Sequence, residues 1–487
     1  HAAPTREKSP MPRPNDPSPF SSPTPPAPVP ATRIGWASLS ELNRYHWFVF
    51  VVCCMAWDLD CMDQQLFVLG RDPAVANLMQ LEGKDSRVTA IGAYATAVFM
   101  IGWSIGGIGF GILGDRLGRV KTLIWTILLY SLFTGLSALS HSIWDFMAYR
   151  LLTGLGVGGA FAAAVVLLAE TVPERPRPFI LGLFQASSVI GNCGAALVSM
   201  YLGSLEQQGT FAGRYLSAWR IMFLIGILPG LLLVLVQFTL KEPERWLLQR
   251  KAAAASETGS PLARFFGTLT ALLKHPIWGR RAIFALLLTG AGVIGLWGIG
   301  FFSVRLVDNV LRKEYIGSTL PQAVIEGDIK FWKGINSLVQ NLGAFLGIFA
   351  FSWVTSSLGR RKTFAMFLVL AALATAGTFL YLNSRSDVFW MVPVMGFCQL
   401  SLFGGYAIYL PELFPTRFRS TGTSFCYNAG RLLAALGPSL LGVLTDVVYK
   451  DSAEPFRYAG VTMCSVFLLG TLALPFLPET KGQPLPE

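Results

Sequence analysis

Glu170-Thr171-Val172-Pro173-Glu174-Arg175-Pro176-Arg177 recurs in the second half of the chain as Glu412-Leu413-Phe414-Pro415-Thr416-Arg417-Phe418-Arg419, with Glu, Pro, Arg and Arg at the same offsets. A second pair keeps nearly the same separation, since Leu117-Gly118-Arg119-Val120-Lys121 returns as Leu358-Gly359-Arg360-Arg361-Lys362. Both pairs stand where long apolar runs meet, so the chain reads as a membrane-embedded unit copied once. Parallel internal repeats of helix-sized apolar segments are a recurrent way of building a carrier.

Composition agrees. Hydrophobic residues make up 53% of the 487 and charged residues 14%, too few for a water-solvated surface of this size. Apolar stretches of the length that crosses a bilayer core run at 45–69, 88–113, 121–140, 146–169, 179–202, 219–238, 282–303, 333–355, 363–382, 389–410, 421–444 and 458–477. Lipid offers the backbone no partners, so each of these twelve spans is expected to be a helix and strands are excluded. The expected organisation is a Pro-rich disordered tail over 1–40, a six-helix half over 41–240, a linker over 241–280, a second half over 281–480 and a short tail over 481–487.

Twelve spans put both ends on one side. The tails and the loops after even-numbered spans carry a large excess of Lys and Arg over acids, whereas the opposite loops hold the two in balance. The positive-inside rule then places both termini in the cytoplasm, and a bacterial inner membrane is the expected location. That distribution accounts for the net charge of +11 without a nucleic-acid partner. Eleven of the first thirty residues are Pro, with too little apolar surface between them to fold. The seven Cys (53, 54, 61, 193, 398, 426 and 464) all fall within spans, without metal-ligand spacing, and read as packing residues. No His/Cys cluster and no nucleophile–base set is visible, so no enzyme activity and no metal or organic cofactor is expected, only a proton gradient, in a monomer surrounded by lipid.

Charge inside a span is where chemistry is expected, because an ionised group at the bilayer centre costs about 3 kcal/mol even on insertion scales. Span 1 carries Asp58, Asp60 and Asp63. Asp60 and Asp63, three apart, share a helix face, while Asp58 lies roughly 160° round from Asp60. Neighbouring carboxylates resist joint ionisation, which suits a proton carrier. Arg150 in span 4 and Asp63 in span 1 both lie roughly 9 Å below the outer ends of their spans, so the two are expected to pair. Arg431 lies about 15 Å into span 11, beyond easy snorkelling, and its fork of donors matches a carboxylate. With Asn428 one turn earlier it is the expected substrate anchor. Gln185 and Asn192, Asn336 and Gln340, and Gln399 and Tyr406 pair off along the faces of spans 5, 8 and 10 and are further candidates, as is Trp297 of span 7, with Phe301 and Phe302 beside it.

Between spans 2 and 3 stands Gly111-Ile112-Leu113-Gly114-Asp115-Arg116-Leu117-Gly118-Arg119-Val120-Lys121. This motif resembles the signature loop of the major facilitator superfamily, and the resemblance extends over nearly the whole chain. It implies a fold of two pseudo-symmetric six-helix bundles that rock about a central site. It also implies a cytoplasmic gate built from Gly111, Asp115, Arg116, Gly118 and Arg119, with Glu170 and Glu412 paired to basic residues. Arg175, Arg177, Arg417 and Arg419 are within sequence reach of those acids. In the second half Ser356 and Ser357 stand where Asp115 and Arg116 stand in the first, so a latch there is expected to be built differently.

Trp219-Arg220, Pro243-Glu244-Arg245-Trp246 and Pro478-Glu479-Thr480-Lys481-Gly482 look like the sugar-porter and organic-acid branches. Asp60-Cys61-Met62-Asp63 resembles the Asp-Gly-Phe-Asp of the sialate and aromatic-acid proton symporters, with its two acids kept and its middle changed. The sugar-porter resemblance implies the same pairing of a first-span Asp with a fourth-span Arg. The expected function is proton-coupled symport of a small organic acid (a sialate, monocarboxylate, aromatic or sugar acid). Symport or facilitated passage of a sugar or polyol, and a transport-inactive membrane sensor, stand as alternatives.

Overall fold

The computed structural model describes residues 35–81, 86–207, 217–231, 239–253, 261–299, 303–320, 322–434 and 437–487. The first half comprises α1 (Arg44–Met79), α2 (Ser86–Leu117), α3 (Arg119–Ser137), α4 (Ile143–Thr171), α5 (Arg177–Gln207) and α6 (Ala218–Ile225), the last continuing as an apolar segment to Leu231. Two linker helices follow, α7 (Glu244–Ala253) and α8 (Pro261–Lys274). The second half comprises α9 (Trp278–Val293), α10 (Ser303–Glu314), α11 (Gln322–Leu358), α12 (Arg360–Tyr381), α13 (Arg385–Leu413), α14 (Arg419–Ala434), α15 (Gly437–Val443), α16 (Pro455–Met463) and α17 (Val466–Ala473).

Ten described helical segments are long and apolar enough to cross a bilayer by themselves, and span 6 shows as the shorter apolar segment Ala218–Leu231. Span 11 is described as α14 and α15 on either side of residues 435–436, completing the twelve-helix, all-α fold. Spans 7 and 11 each run into a π-helical stretch, Ile294–Ile299 and Leu444–Val448. Residues 1–34 of the expected disordered tail lie outside the described residues, and Gly35–Glu41 is a 3-10 helix. The linker, too, has helices of its own.

The duplication extends to the caps. Ser142 starts α4 with a capping box closed by Asp145, and Ser384 starts the repeat-related α13 with one closed by Asp387. Packing repeats as well, with α2 on α4 and α3 on α4 in one half matched by α11 on α13 and α12 on α13 in the other. The halves meet chiefly through α2 against α14 and α5 against α11.

Small residues decide how close these helices come. Gly102 and Gly106 of α2 lie on the backbone of Leu151 and Leu155 in α4, and Gly154 and Gly158 of α4 lie on the backbone of α2. The opposite face of α2 presents Gly107, Gly111 and Gly114 to Asn428, Ser424 and Ser420 of α14, so one helix carries two glycine seams, one within its half and one between the halves. A side chain at Gly106 must displace the Leu155 backbone, whereas Gly109 of the same helix has open space beside it. Gly106→Leu is therefore expected to cost about 1–3 kcal/mol, read as a lower melting temperature of the purified protein, while Gly109→Leu leaves it near wild type.

Candidate functional site

At the end of the bundle that carries the linker, α2 stops at Leu117 and α3 begins two residues later. Gly118 makes that turn with φ +110°, and Gly359 makes the repeat-related turn with φ +87°, a region that favours glycine. Each turn leaves the first backbone N–H groups of the next helix pointing outward, and in both halves a glutamate takes them. Glu242 accepts from Arg119, Val120 and Lys121 N at 2.7–3.1 Å. Glu479 accepts from Arg360 and Arg361 N at 2.9 and 3.1 Å. Burial raises the Glu479 carboxyl, but these backbone donors outweigh it and hold the group below its ordinary range. A Cβ on either glycine would run into its glutamate, a second reason for glycine in the repeated Leu-Gly-Arg.

The arginine that follows each glycine turns inward. Arg119 grips Glu170 with two hydrogen bonds of 3.0 Å, and Arg360 grips Glu412 at 3.0 and 2.8 Å. All four side chains are buried. Glu170 also takes Arg419 of the other half at 2.5 Å, and Arg419 in turn donates to Pro411 O and to Pro486 O near the end of the chain. Asp115 makes the second crossing. Its two oxygens accept from Ser420 and Thr421 N at 3.0 and 2.8 Å, so it caps α14 from the opposite bundle. Arg116 reaches the linker helix α8 through Thr268 at 3.0 Å.

Two of the expected gate members stand elsewhere. Arg175 pairs with Glu41 at 3.4 Å, both partly exposed, and Arg417 lies over Phe418. Glu170 and Glu412 are held by arginines of the preceding helix pair, far away in sequence. Arg177 is buried beside Val172 O and within electrostatic reach of Glu412, without an ion pair to it. Among the described residues the second half has no counterpart of the Asp115 crossing, since Ser356 and Ser357 turn their hydroxyls back to Trp353 O and Val354 O of their own helix.

Deeper in, the interface is aromatic around two opposite charges. The Arg431 guanidinium lies 4.0 Å from the Trp103 ring centre and 4.3 Å from that of Tyr427, and donates to Asn428 Oδ1 at 3.1 Å. Asn428 donates onward to Ser424 O and to Gly158 O of the other half. Tyr427 stacks on Phe161 at 4.0 Å, and Phe161 packs on Trp57. Asp60, fully buried, accepts from Gln64 at 2.9 Å and feels the Arg431 charge across the interface. Asp60 Oδ1 and Arg431 Nε have no hydrogen-bond partner among the described residues. Asp58 faces α5 beside Ser187 and Gly191, away from this pair.

Asp63 and Arg150 are both fully buried and electrostatically coupled, but the expected direct pair is not formed. Arg150 donates from Nε and Nη2 to Ser137 Oγ at 3.1 and 2.6 Å and from Nη2 to Phe133 O at 3.3 Å, within a cage of Phe67, Phe146 and Phe223, while its Nη1 has no hydrogen-bond partner among the described residues. Asp63 sits by Thr134 and Gly226, and neither of its oxygens has a hydrogen bond. Matched depth brought the two to one level, and the ring cage turns the guanidinium aside.

Of the other candidates, Gln185 is buried on α5 with its carbonyl oxygen unpartnered, and Asn192 is half-buried. Three hold helices of the second half together. Gln399 donates to Thr375 at 2.7 Å, Tyr406 to Leu288 O at 3.0 Å and Asn336 to Ser303 at 3.2 Å. Gln340 packs against Gly396 of α13. The Trp297 side chain, Phe301 and Phe302 lie outside the described residues. The aromatic wall of Trp57, Trp103, Phe161 and Tyr427 and the capping Glu242 are not among the expected site residues; only the glycine turn before Arg119 hinted at a cap.

Comparison with known proteins agrees with this geometry. Residues 74–264 match the family described as "Sugar (and other) transporter" and residues 314–487 match "Major Facilitator Superfamily". A putative metabolite transport protein of Haemophilus influenzae is 28% identical over 92% of this chain and 99% of its own. The cis,cis-muconate transport protein of Acinetobacter baylyi is 27% identical over 91% and 98%. Among solved structures, the proton:xylose symporter XylE has the same fold, with a TM-score of 0.66 at 17% identity over 91% of this chain and 98% of that one. Two six-helix halves joined at one end by a crossing ion pair and a crossing helix cap are the framework of a membrane carrier. The chain belongs to the major facilitator superfamily of transporters.

The Asp115 cap makes a local prediction. Asp115→Asn weakens the acceptor for Ser420 and Thr421 N by about 1 kcal/mol, so hydrogen-exchange mass spectrometry should show several-fold faster exchange in the peptide containing both. Arg417→Gln should leave that peptide unchanged.

Proposed function

We propose that this transporter is a proton-coupled symporter of a small, planar organic acid, working by alternating access. The observation that carries the reading is the burial of Asp60 and Arg431 within electrostatic reach of each other across the interface, each with a polar atom unpartnered among the described residues, with Trp and Tyr rings around the guanidinium. An unpaired charge in such a setting is costly, so the arrangement favours an incoming anion for the guanidinium and a proton for the carboxylate. A substrate carboxylate would take the free edge of Arg431, with Asn428 orienting the other edge, and the rings would flank its flat body. Asp60 then loses its positive neighbour to the substrate, and protonation removes the cost of leaving it charged.

Asp63 extends the same logic one turn further out. Its oxygens lack partners while Arg150 is held by serine and ring faces, so proton gain or loss at Asp63 alters the balance between α1 and α4. The crossed contacts of Glu170 and Asp115 close the end that carries the linker, and they must part for the site to open there. The distribution of Lys and Arg assigns that end to the cytoplasm and the termini with it. The muconate relative, a carrier of a conjugated dicarboxylic acid by its name, supports an acid over a neutral sugar.

Uptake into proteoliposomes tests both halves of the proposal. Arg431→Gln should reduce uptake of an aromatic or muconate-like acid at least about 30-fold, roughly 2 kcal/mol; a carrier of neutral sugars would tolerate the change. Asp63→Asn should abolish accumulation driven by a pH gradient while keeping exchange of internal for external substrate. Wild-type accumulation in that variant would remove Asp63 from the coupling.

A further inference from the structure

The end that carries the linker holds a second feature that the gate and the central site do not use. Where α9 begins and the chain leaves the last membrane helix, Pro276, Ile277, Arg280, Arg281, Phe476 and Pro478 help to line a cavity of about 370 Å³. No acid lines it. Arg280 is exposed and lies over the faces of Phe284 and Phe476, which stack on each other at 4.3 Å. Arg281 lies over Trp278 and donates to Leu413 O at 3.3 Å. Neither arginine is in an ion pair among the described residues. Around this positive cavity the surface is apolar, with Ile277, Ile283 and Phe476 each about half exposed, as befits side chains that face acyl chains.

We infer that this cavity binds the headgroup of an anionic phospholipid. The argument is one of complementary parts. Two adjacent guanidinium groups without a carboxylate among them want an anion, and the planar fork suits a phosphate. The rings fix Arg280 at the rim, where its charge stays at headgroup level while its stem covers apolar surface. The exposed isoleucine and phenylalanine side chains supply the contact that the lipid's tails need, which a free phosphate could not use. Basic pockets between membrane helices are a known physical solution to headgroup binding. The inference rests on the membrane fold alone and is independent of the substrate and of proton coupling.

The test uses the full chain purified in neutral detergent, with melting temperature followed as dioleoyl phosphatidylglycerol, dioleoyl phosphatidylcholine or inorganic phosphate is added at matched ionic strength. Phosphatidylglycerol should raise the melting temperature in a saturable way, and the other two should not. Arg280→Gln should weaken the phosphatidylglycerol effect about fivefold in apparent affinity, equivalent to about 1 kcal/mol, while Arg280→Lys and the linker variant Lys251→Gln keep most of it. Arg280 is exposed and holds no helix in place, so these variants are expected to fold. An equal response to phosphatidylcholine would overturn the role of headgroup charge. An equal response to inorganic phosphate would make this a free-anion site, and an undiminished response in Arg280→Gln would place the lipid elsewhere.

Discussion

Glu170 accepts hydrogen bonds from Arg119 of its own half and from Arg419 of the other, and the contact between the halves at this end is built on that shared acceptor. All three side chains are fully buried, so each is stable only while the others remain. A buried ion cluster of this kind gains little net energy over its solvated parts, because desolvation consumes most of the Coulomb attraction. That near-balance suits a gate. Were the halves to part here, as the proposed alternating access requires, water would solvate the same charges and offset the broken pairs, so the contact can be specific in geometry and shallow in energy. Asp115 adds a helix terminus to a cation, pairing with Arg119 at 3.4 Å in its own half while it accepts from two backbone N–H groups of α14 in the other.

The duplication explains why this latch is asymmetric. Both halves build the same local unit: a glycine turn, a glutamate capping the next helix, and an arginine clamped on the glutamate that ends the fourth or tenth span. Those units fix the internal shape of each bundle. The crossings are then added by residues whose repeat counterparts do not make them: Ser356 stands in the place of Asp115, and Arg177, the counterpart of Arg419, donates to Val172 O of its own half. In the second half Glu412 has Thr480 as an extra donor at 2.5 Å, so its remaining capacity is filled within its own bundle. One half is closed on itself and the other shares its acid.

Much of this was legible in the sequence, and the failures have a common cause. Spans, repeat and fold follow from hydropathy and offset, which are properties of position along the chain. Arg431 was legible because a charge so deep in a span has few tolerable surroundings. Pairings were harder. Arg175 and Arg417 are near Glu170 and Glu412 in sequence, yet helix packing brings Arg119 and Arg360 to them from another helix. Depth along a helix predicted that Asp63 and Arg150 share a level but said nothing of the direction each faces, and three phenylalanine rings decide that direction. Gln399 and Tyr406 do share a face, as their spacing requires, but which neighbour that face meets is a fact of the bundle. The aromatic wall was hidden for the opposite reason, since Trp, Tyr and Phe make up 13% of the chain and nothing local sets these few apart.

The seam between α2 and α14 joins the two levels of the molecule. Gly107, Gly111 and Gly114 let the helices touch along a line that runs from Asp115 at the gate to Trp103 and Arg431 at the centre. Asn428 stands on that line, packed on Gly107, bonded to Gly158 of the opposite half and holding Arg431 with its oxygen. Whatever engages Arg431 therefore acts on a residue that is itself part of the seam. A ligand that draws the guanidinium away from Asn428 loosens one of the contacts holding the halves together, and one that leaves it in place preserves them. Close packing makes such small displacements count, because only the short side chains of Asn428, Ser424 and Ser420 stand between the glycines and α14, with little slack to absorb them.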